Sequence, residues 1–169
     1  ANSAGFLHGQ ISSGHSLACA LIARDGSGMQ RDYDYTTSRV PGELLAPELV
    51  GKNAAERTLR RFDPQKVMTG RYPVLFAPSL SVELIQHLLQ AISGGAQYRQ
   101  SSFLYQALGE KILPEWFSLC ERPHEKRALG SANFDNEGVA TRDNCVIYRG
   151  IISTYMRSCD SARRLRLAT

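Results

Sequence analysis

His87 is the first side chain to test for chemistry. It sits in the helix-patterned stretch LSVELIQHLLQAI at 80–92, with no imidazole, thiolate or carboxylate at i+4 or i+5. Metal sites need three or four such ligands, so the pattern predicts a partly buried, hydrogen-bonded histidine at the edge of an apolar face. Cys120 and His124 have C-x-x-x-H spacing, half of a metal site, but Pro123 intervenes and no second pair exists. Asp135 and Glu137 are two nearby carboxylates. An acid/base pair for glycosidic chemistry needs a sugar cleft and a defined separation, which sequence neighbours rarely provide. A calcium loop needs oxygens at alternate positions with Gly at the sixth, which Asp135-Asn136-Glu137-Gly138 does not match. That run reads as an acidic turn. Gln97, Tyr98, Arg99, Gln100, Ser101 and Ser102 suit either a polar binding groove or a surface loop. Arg163, Arg164 and Arg166 are the best nucleic-acid candidates, although they lack an aromatic platform. There is no G-x-S-x-G elbow and no phosphate-binding G-x-x-x-x-G-K-[ST]. No catalytic, cofactor-binding or metal-ligating residue is assigned.

The bulk properties are those of a globular chain. Its 169 residues suit one domain or a piece of a larger protein, and 43% hydrophobic with 21% charged residues is enough for a core. A net charge of +4 is mildly basic and dispersed except near the C-terminus. No run of eighteen apolar residues exists, and the start has no secretory pattern. Cys19, Cys120, Cys145 and Cys159 show no C-x-x-C spacing and read as buried free thiols of a cytoplasmic protein.

The elements that must position these residues follow from periodicity. HSLACALIAR at 15–24 and MQRDYDYTTSR at 29–39 predict a hairpin around a turn at Asp25-Gly26-Ser27-Gly28. Pro47 and Glu48 open a helix with Leu49, Val50, Ala54, Ala55, Leu59 and Phe62 on its sheet-facing side, stopped at Asp63-Pro64. Arg57, Arg60 and Arg61 take its outer face or C-terminal end. Val74–Ala77 has the composition of a buried strand, broken by Pro78. Ser79 or Ser81 then caps a helix whose Leu80, Leu84, Ile85, Leu88, Leu89 and Ile92 share one face, ended by a left-handed cap at Gly94-Gly95. A short helix over 103–112 is expected to turn Leu104, Ala107, Leu108 and Ile112 inward. Strands are expected at 117–120, 139–142, 144–148 and 151–157, with a turn at Arg149-Gly150, and a last helix at 160–167. The fold class is α+β: a mostly antiparallel sheet with helices packed on one side.

Several blocks in fixed order carry a resemblance: PVLFAP at 73–78, ISGGAQYRQSSFL at 92–104, LGEKILPEW at 108–116, Pro123-His124, FDNEGVATR at 134–142 and YMRSCDSARRL at 155–165. Together they resemble the TldD/PmbA family, and more closely its TldE (PmbA) branch. The resemblance covers nearly the whole chain. It implies that residues 1–169 are one α+β region from the centre of a larger two-domain protein, with an N-terminal region and a C-terminal domain outside the chain. In the TldD branch the equivalent helix carries an H-E-x-x-x-H zinc motif. Alignment by the flanking residues puts Gln86 at the first His, His87 at the Glu and Ala91 at the second His. An amide, an imidazole and a methyl cannot replace that set, because zinc needs imidazole, thiolate or carboxylate ligands and hydrolysis needs a base on the bound water. A third ligand would lie outside the chain.

The resemblance therefore implies the metal-free subunit of a heterodimeric metalloprotease, with zinc in a TldD-like partner. Unfolded or modified peptides would be the substrate, held by addition to a sheet edge. The family was also named for modulation of DNA gyrase. A second expectation is thus a non-proteolytic interaction protein acting on gyrase or its antitoxin, which salt-sensitive binding would reveal.

Overall fold

The computed structural model describes residues 1–3, 5–26 and 28–167. It contains two compact units: residues 9–71 with 125–131, and residues 1–8, 72–124 and 132–169. They are called here the hairpin unit and the cleft unit. The fold is α+β with all strand pairing within sheets antiparallel, but the strands form two sheets rather than one.

In the hairpin unit, β1 (His15–Asp25) pairs along its whole length with β2 (Gly28–Ser38). Side chains on successive strand residues point to opposite faces, and burial alternates accordingly. Gly26 takes the left-handed conformation, at φ +54°, that the two-residue connection needs. Ser27, the other residue of the expected turn, lies outside the described residues. A 3-10 turn at Pro41–Glu43 leads to α1 (Pro47–Leu59), which opens with Pro47 and Glu48 in its first turn as expected. Its buried face is Val50, Ala54 and Thr58, whereas Leu49 and Leu59 are exposed. The helix ends at Leu59, ahead of the expected stop at Asp63-Pro64.

The cleft unit holds α2 (Pro78–Ala91), α3 (Gly94–Tyr98), β3 (Leu119–Glu121), β4 (Asn144–Tyr148), β5 (Ile151–Ile152) and α4 (Cys159–Leu165). The three strands are ordered β3-β4-β5. The core joins Ile92, Leu104, Ala107, Val146, Ile147, Ile152 and Tyr155, with Leu88, Leu89, Ile112 and Phe117 packed against it.

Several expectations are corrected here. Val74–Ala77 is neither a strand nor buried: Leu75 is 99% exposed, and the run sits between Pro73 and Pro78 without a pairing strand. Pro78 does not merely break the chain. It is the first residue of α2, where its missing N–H is not needed. Ala77 is the cap residue, and the Ser81 hydroxyl instead donates back to the Ala77 carbonyl at 3.1 Å. Only the C-terminal half of the apolar face of α2 reaches the core, so Leu80 and Leu84 stay exposed. Gly94-Gly95 does not form a left-handed cap. Ser93 caps a new helix there by accepting from Ala96 N–H at 3.2 Å, and Gly94 is needed because a Cβ would enter the Ser161 side chain of α4.

Residues 103–112 are turns, with Gln106 at φ +57° and Gly109 at φ +84° interrupting any helix. Leu104 and Ala107 are buried all the same, while Leu108 is exposed. The strand expected at 139–142 is only a bridge between Phe134 and Ala140, and the one expected at 151–157 stops at Ile152. The turn at Arg149-Gly150 forms as expected, both residues having positive φ. Among the described residues, no helix is long and apolar enough to cross a membrane.

Candidate functional site

A cleft of about 310 Å³ opens in the cleft unit, bordered by Glu121 and Pro123, by the turn Asp135–Val139, by Thr141–Asn144 and by the approach to α4. Its apolar surface comes from Val139, Tyr155 and Met156, and its cations are Arg142 and Arg157.

Local bonding shapes the rim. Asp135 Oδ1 accepts from the backbone N–H groups of Glu137 at 2.8 Å and Val139 at 2.9 Å, the side-chain-to-backbone pattern by which Asp builds a turn. Gly138 completes the turn at φ +82°, with the Phe6 ring where a Cβ would stand. Glu137 Oε2 accepts from Cys159 N–H at 2.7 Å, so its carboxylate satisfies a backbone donor at the start of α4. Ser158 and Ser161 form a capping box on the same helix end. Asn144 Nδ2 donates to Glu121 Oε2 at 3.0 Å. Asp135 and Glu137 thus both accept from backbone N–H groups. The Cys159 thiol is held above its usual pKa, first by burial and then by Glu137 and Asp135, so it stays neutral rather than becoming a nucleophilic thiolate.

The other residues singled out above are scattered. Gln86 and His87 are exposed on α2 and Ala91 is half-buried; the histidine is not the partly buried one expected. No group of three or more His, Cys, Asp or Glu able to hold a metal ion occurs among the described residues. The residues at 86, 87 and 91 do not fit zinc chemistry. Cys120 and His124 do not form half of a metal site: His124 Nε2 lies 3.2 Å from Thr141 Oγ1, and Cys120 is disulfide-bonded to Cys145. The expectation of four buried free thiols is therefore corrected. Cys120 and Cys145 are paired and exposed, and only Cys19 and Cys159 are free and half-buried. The sequence places both paired cysteines in predicted strands, but the β3–β4 register decides that they face each other.

The 97–102 stretch resolves into two roles. Gln97 is buried, and its amide donates to the carbonyls of Ala91 and Leu104 and accepts from Gln106 N–H. Tyr98 and Gln100 border a second cleft with Tyr105, Gln106 and Leu165. Arg163 and Arg164 both pair with Asp160, and Arg164 lies over the Tyr98 ring at 4.8 Å, so two of the three arginines are engaged locally.

Residues 69–169 match the family model of the PmbA/TldA metallopeptidase C-terminal domain, and residues 1–62 match that of its central domain. The chain belongs to the PmbA/TldD family. The boundary between the two matches falls between residues 62 and 69. The chain is 42% identical to the metalloprotease PmbA homolog of Haemophilus influenzae over 99% of its length, and 43% identical to metalloprotease PmbA of Escherichia coli O157:H7 over 98%. It spans about 37% of the length of each. A metalloprotease TldD homolog of H. influenzae is more distant, 24% identical over 85% of the chain and 30% of its own length. Among solved structures, a Bacteroides thetaiotaomicron protein described as a candidate modulator of DNA gyrase superposes with a TM-score of 0.91 at 30% identity, over 98% of this chain and 38% of its own. TldE from Thermococcus kodakarensis superposes with a TM-score of 0.78 at 23% identity over 92% and 35%, a likeness of fold.

Proposed function

We propose that this chain is part of a metal-free, TldE-type subunit that binds extended peptide for a zinc-bearing TldD-like partner. The observation that carries the proposal is the surface of α2. At the positions aligned with the zinc motif of the TldD branch it presents Gln86, His87 and Ala91, with Gln86 and His87 exposed, and this set supplies neither three ligands nor a base for a bound water. The cleft supports the binding half of the proposal. It combines an apolar surface with carboxylates and guanidinium groups, which suits a chain of mixed side chains better than one small molecule. A zinc ion in the partner would supply the polarised water, and this subunit would hold and exclude. Zinc content and peptidase activity of the full-length protein, alone and mixed with a TldD-type subunit, test the reading. The expected result is no zinc in the protein alone and activity only in the mixture. Stoichiometric zinc, or activity without a partner, would make this subunit an enzyme in its own right.

A second reading is favoured by the relative described as a candidate gyrase modulator: an interaction protein acting on gyrase or its antitoxin. The local pairing of Arg163 and Arg164 with Asp160 reduces the charge available to a nucleic-acid partner. A salt-sensitive complex of the full-length protein with gyrase, formed without any TldD-type subunit, would replace the first reading with this one.

A further inference from the structure

We propose that Cys120 and Cys145 are a redox-controlled clasp on the segment that builds the cleft. The two residues are direct partners across the β3–β4 ladder and are joined by a disulfide. Both are exposed, so a small thiol can reach them. The cystine closes a loop of sequence separation 25, and the cleft residues from Glu121 to Asn144 all lie inside it. The residues next to the two cysteines, Glu121 and Asn144, face the cleft and bond to each other at 3.0 Å.

At its base the loop is tied by a short ladder and by single hydrogen bonds, such as Ala132 N–H to the Pro123 carbonyl at 3.0 Å. β3 is three residues long, with a register shift between Leu119 and Cys120. Residues 132–143 contain no helix or strand beyond the Phe134–Ala140 bridge. Cross-linking the ends of such a loop removes open conformations, and cutting the link restores them. Exposed disulfides are the ones most readily exchanged, and in a reducing compartment they are the regulatory ones.

The reaction is thiol–disulfide exchange with a small monothiol of the glutathione class. A thiolate attacks one cystine sulfur, the S–S bond breaks, and the departing cysteine sulfur takes a proton. A second thiol then displaces the remaining cysteine as a thiol. Two small thiols become one small disulfide, and the cystine becomes two cysteines; oxidation runs the same exchange in reverse. In the oxidised form the cleft is ordered, and in the reduced form its rim is loose.

The effect on ligand binding rests on the peptide-holding reading above. The full-length protein is equilibrated in thiol/disulfide buffers, the cystine is mapped by mass spectrometry of an unreduced digest, and amide exchange is followed together with binding of a labelled, unstructured casein peptide. Reduction is expected to speed exchange in 132–143 by about tenfold while leaving β1 and β2 unchanged. Peptide binding is expected to weaken in parallel. The double variant Cys120→Ser/Cys145→Ser is expected to exchange like the reduced protein in every buffer. If exchange responds but the peptide binds neither form, the clasp stands and the peptide-holding reading fails. If the two cysteines remain thiols in the most oxidising buffer, or if exchange in 132–143 is the same in both states, the clasp is refuted.

Discussion

In the hairpin unit, the face of β2 that turns inward carries Gln30, Asp32, Asp34 and Thr36, and Asn53 and Arg57 of α1, with Arg61 just beyond its end, answer them. In the cleft unit the corresponding layer between helix and sheet is hydrocarbon: Ile92 against Val146, Ile147 and Ile152. Each unit covers an antiparallel sheet with helix, yet the hairpin unit sets charge and hydrogen bonds beside its buried Val50 and Ala54, whereas the cleft unit relies on apolar area. Apolar burial is nearly indifferent to pH and salt, whereas ion pairs at a partly open surface are weakened by both. The two units should therefore fail under different stresses. The cleft unit, which holds the candidate site, should be the sturdier in acid.

The sharpest way to break this comparison is at Gly150. It sits at φ +79°, and a Cβ there would collide with the carbonyl oxygen of Leu113. Gly150→Val is expected to cost about 4 kcal/mol or more, enough to unfold the cleft unit first, as read by amide exchange across both units. Next comes Ile147→Ala, expected to cost about 3–4 kcal/mol in denaturant titration, against about 2 kcal/mol for Val50→Ala in the hairpin unit. Equal losses would mean that the two cores are alike after all. Gln97→Leu tests the buried amide in the apolar unit. It strands two carbonyls and one N–H, and a loss of about 2–3 kcal/mol is expected from the same titration. Ser158→Ala removes the cap of α4 and should cost about 1 kcal/mol.

The smallest effect is the most discriminating. Asp32 is held below its ordinary pKa of 3.8, first by the Tyr33 N–H and then by Arg57 and Arg61. Glu43 is held below its ordinary 4.5, first by the Ser38 hydroxyl and then by Arg127. A carboxylate with a depressed folded-state pKa stabilises the fold fully above its unfolded value, and that contribution drains away as pH falls through the folded one. Acid titration below pH 4.5, monitored residue by residue, should therefore loosen the hairpin unit through Asp32 and Glu43 more than the cleft unit, where Asp160 at α4 loses its contribution. Loosening of both units together would refute the contrast.

Much of this was legible in the residues themselves. The β1–β2 hairpin announces itself by alternation on either side of a glycine-rich turn, α1 by its Pro-Glu opening, and the β4–β5 turn by Arg149-Gly150, because each signal is local. Tertiary structure decided the rest. Whether Val74–Ala77 is a strand depends on a partner that sequence does not name, and its isolation between two prolines leaves it unpaired. Gly94 reads as a helix terminator in one dimension, and only the approach of Ser161 shows that it is a packing position. Cys120 and Cys145 become a pair only through the register of β3 against β4, because two strands that meet across 25 residues are matched by long-range hydrogen bonds and not by any property of the cysteines.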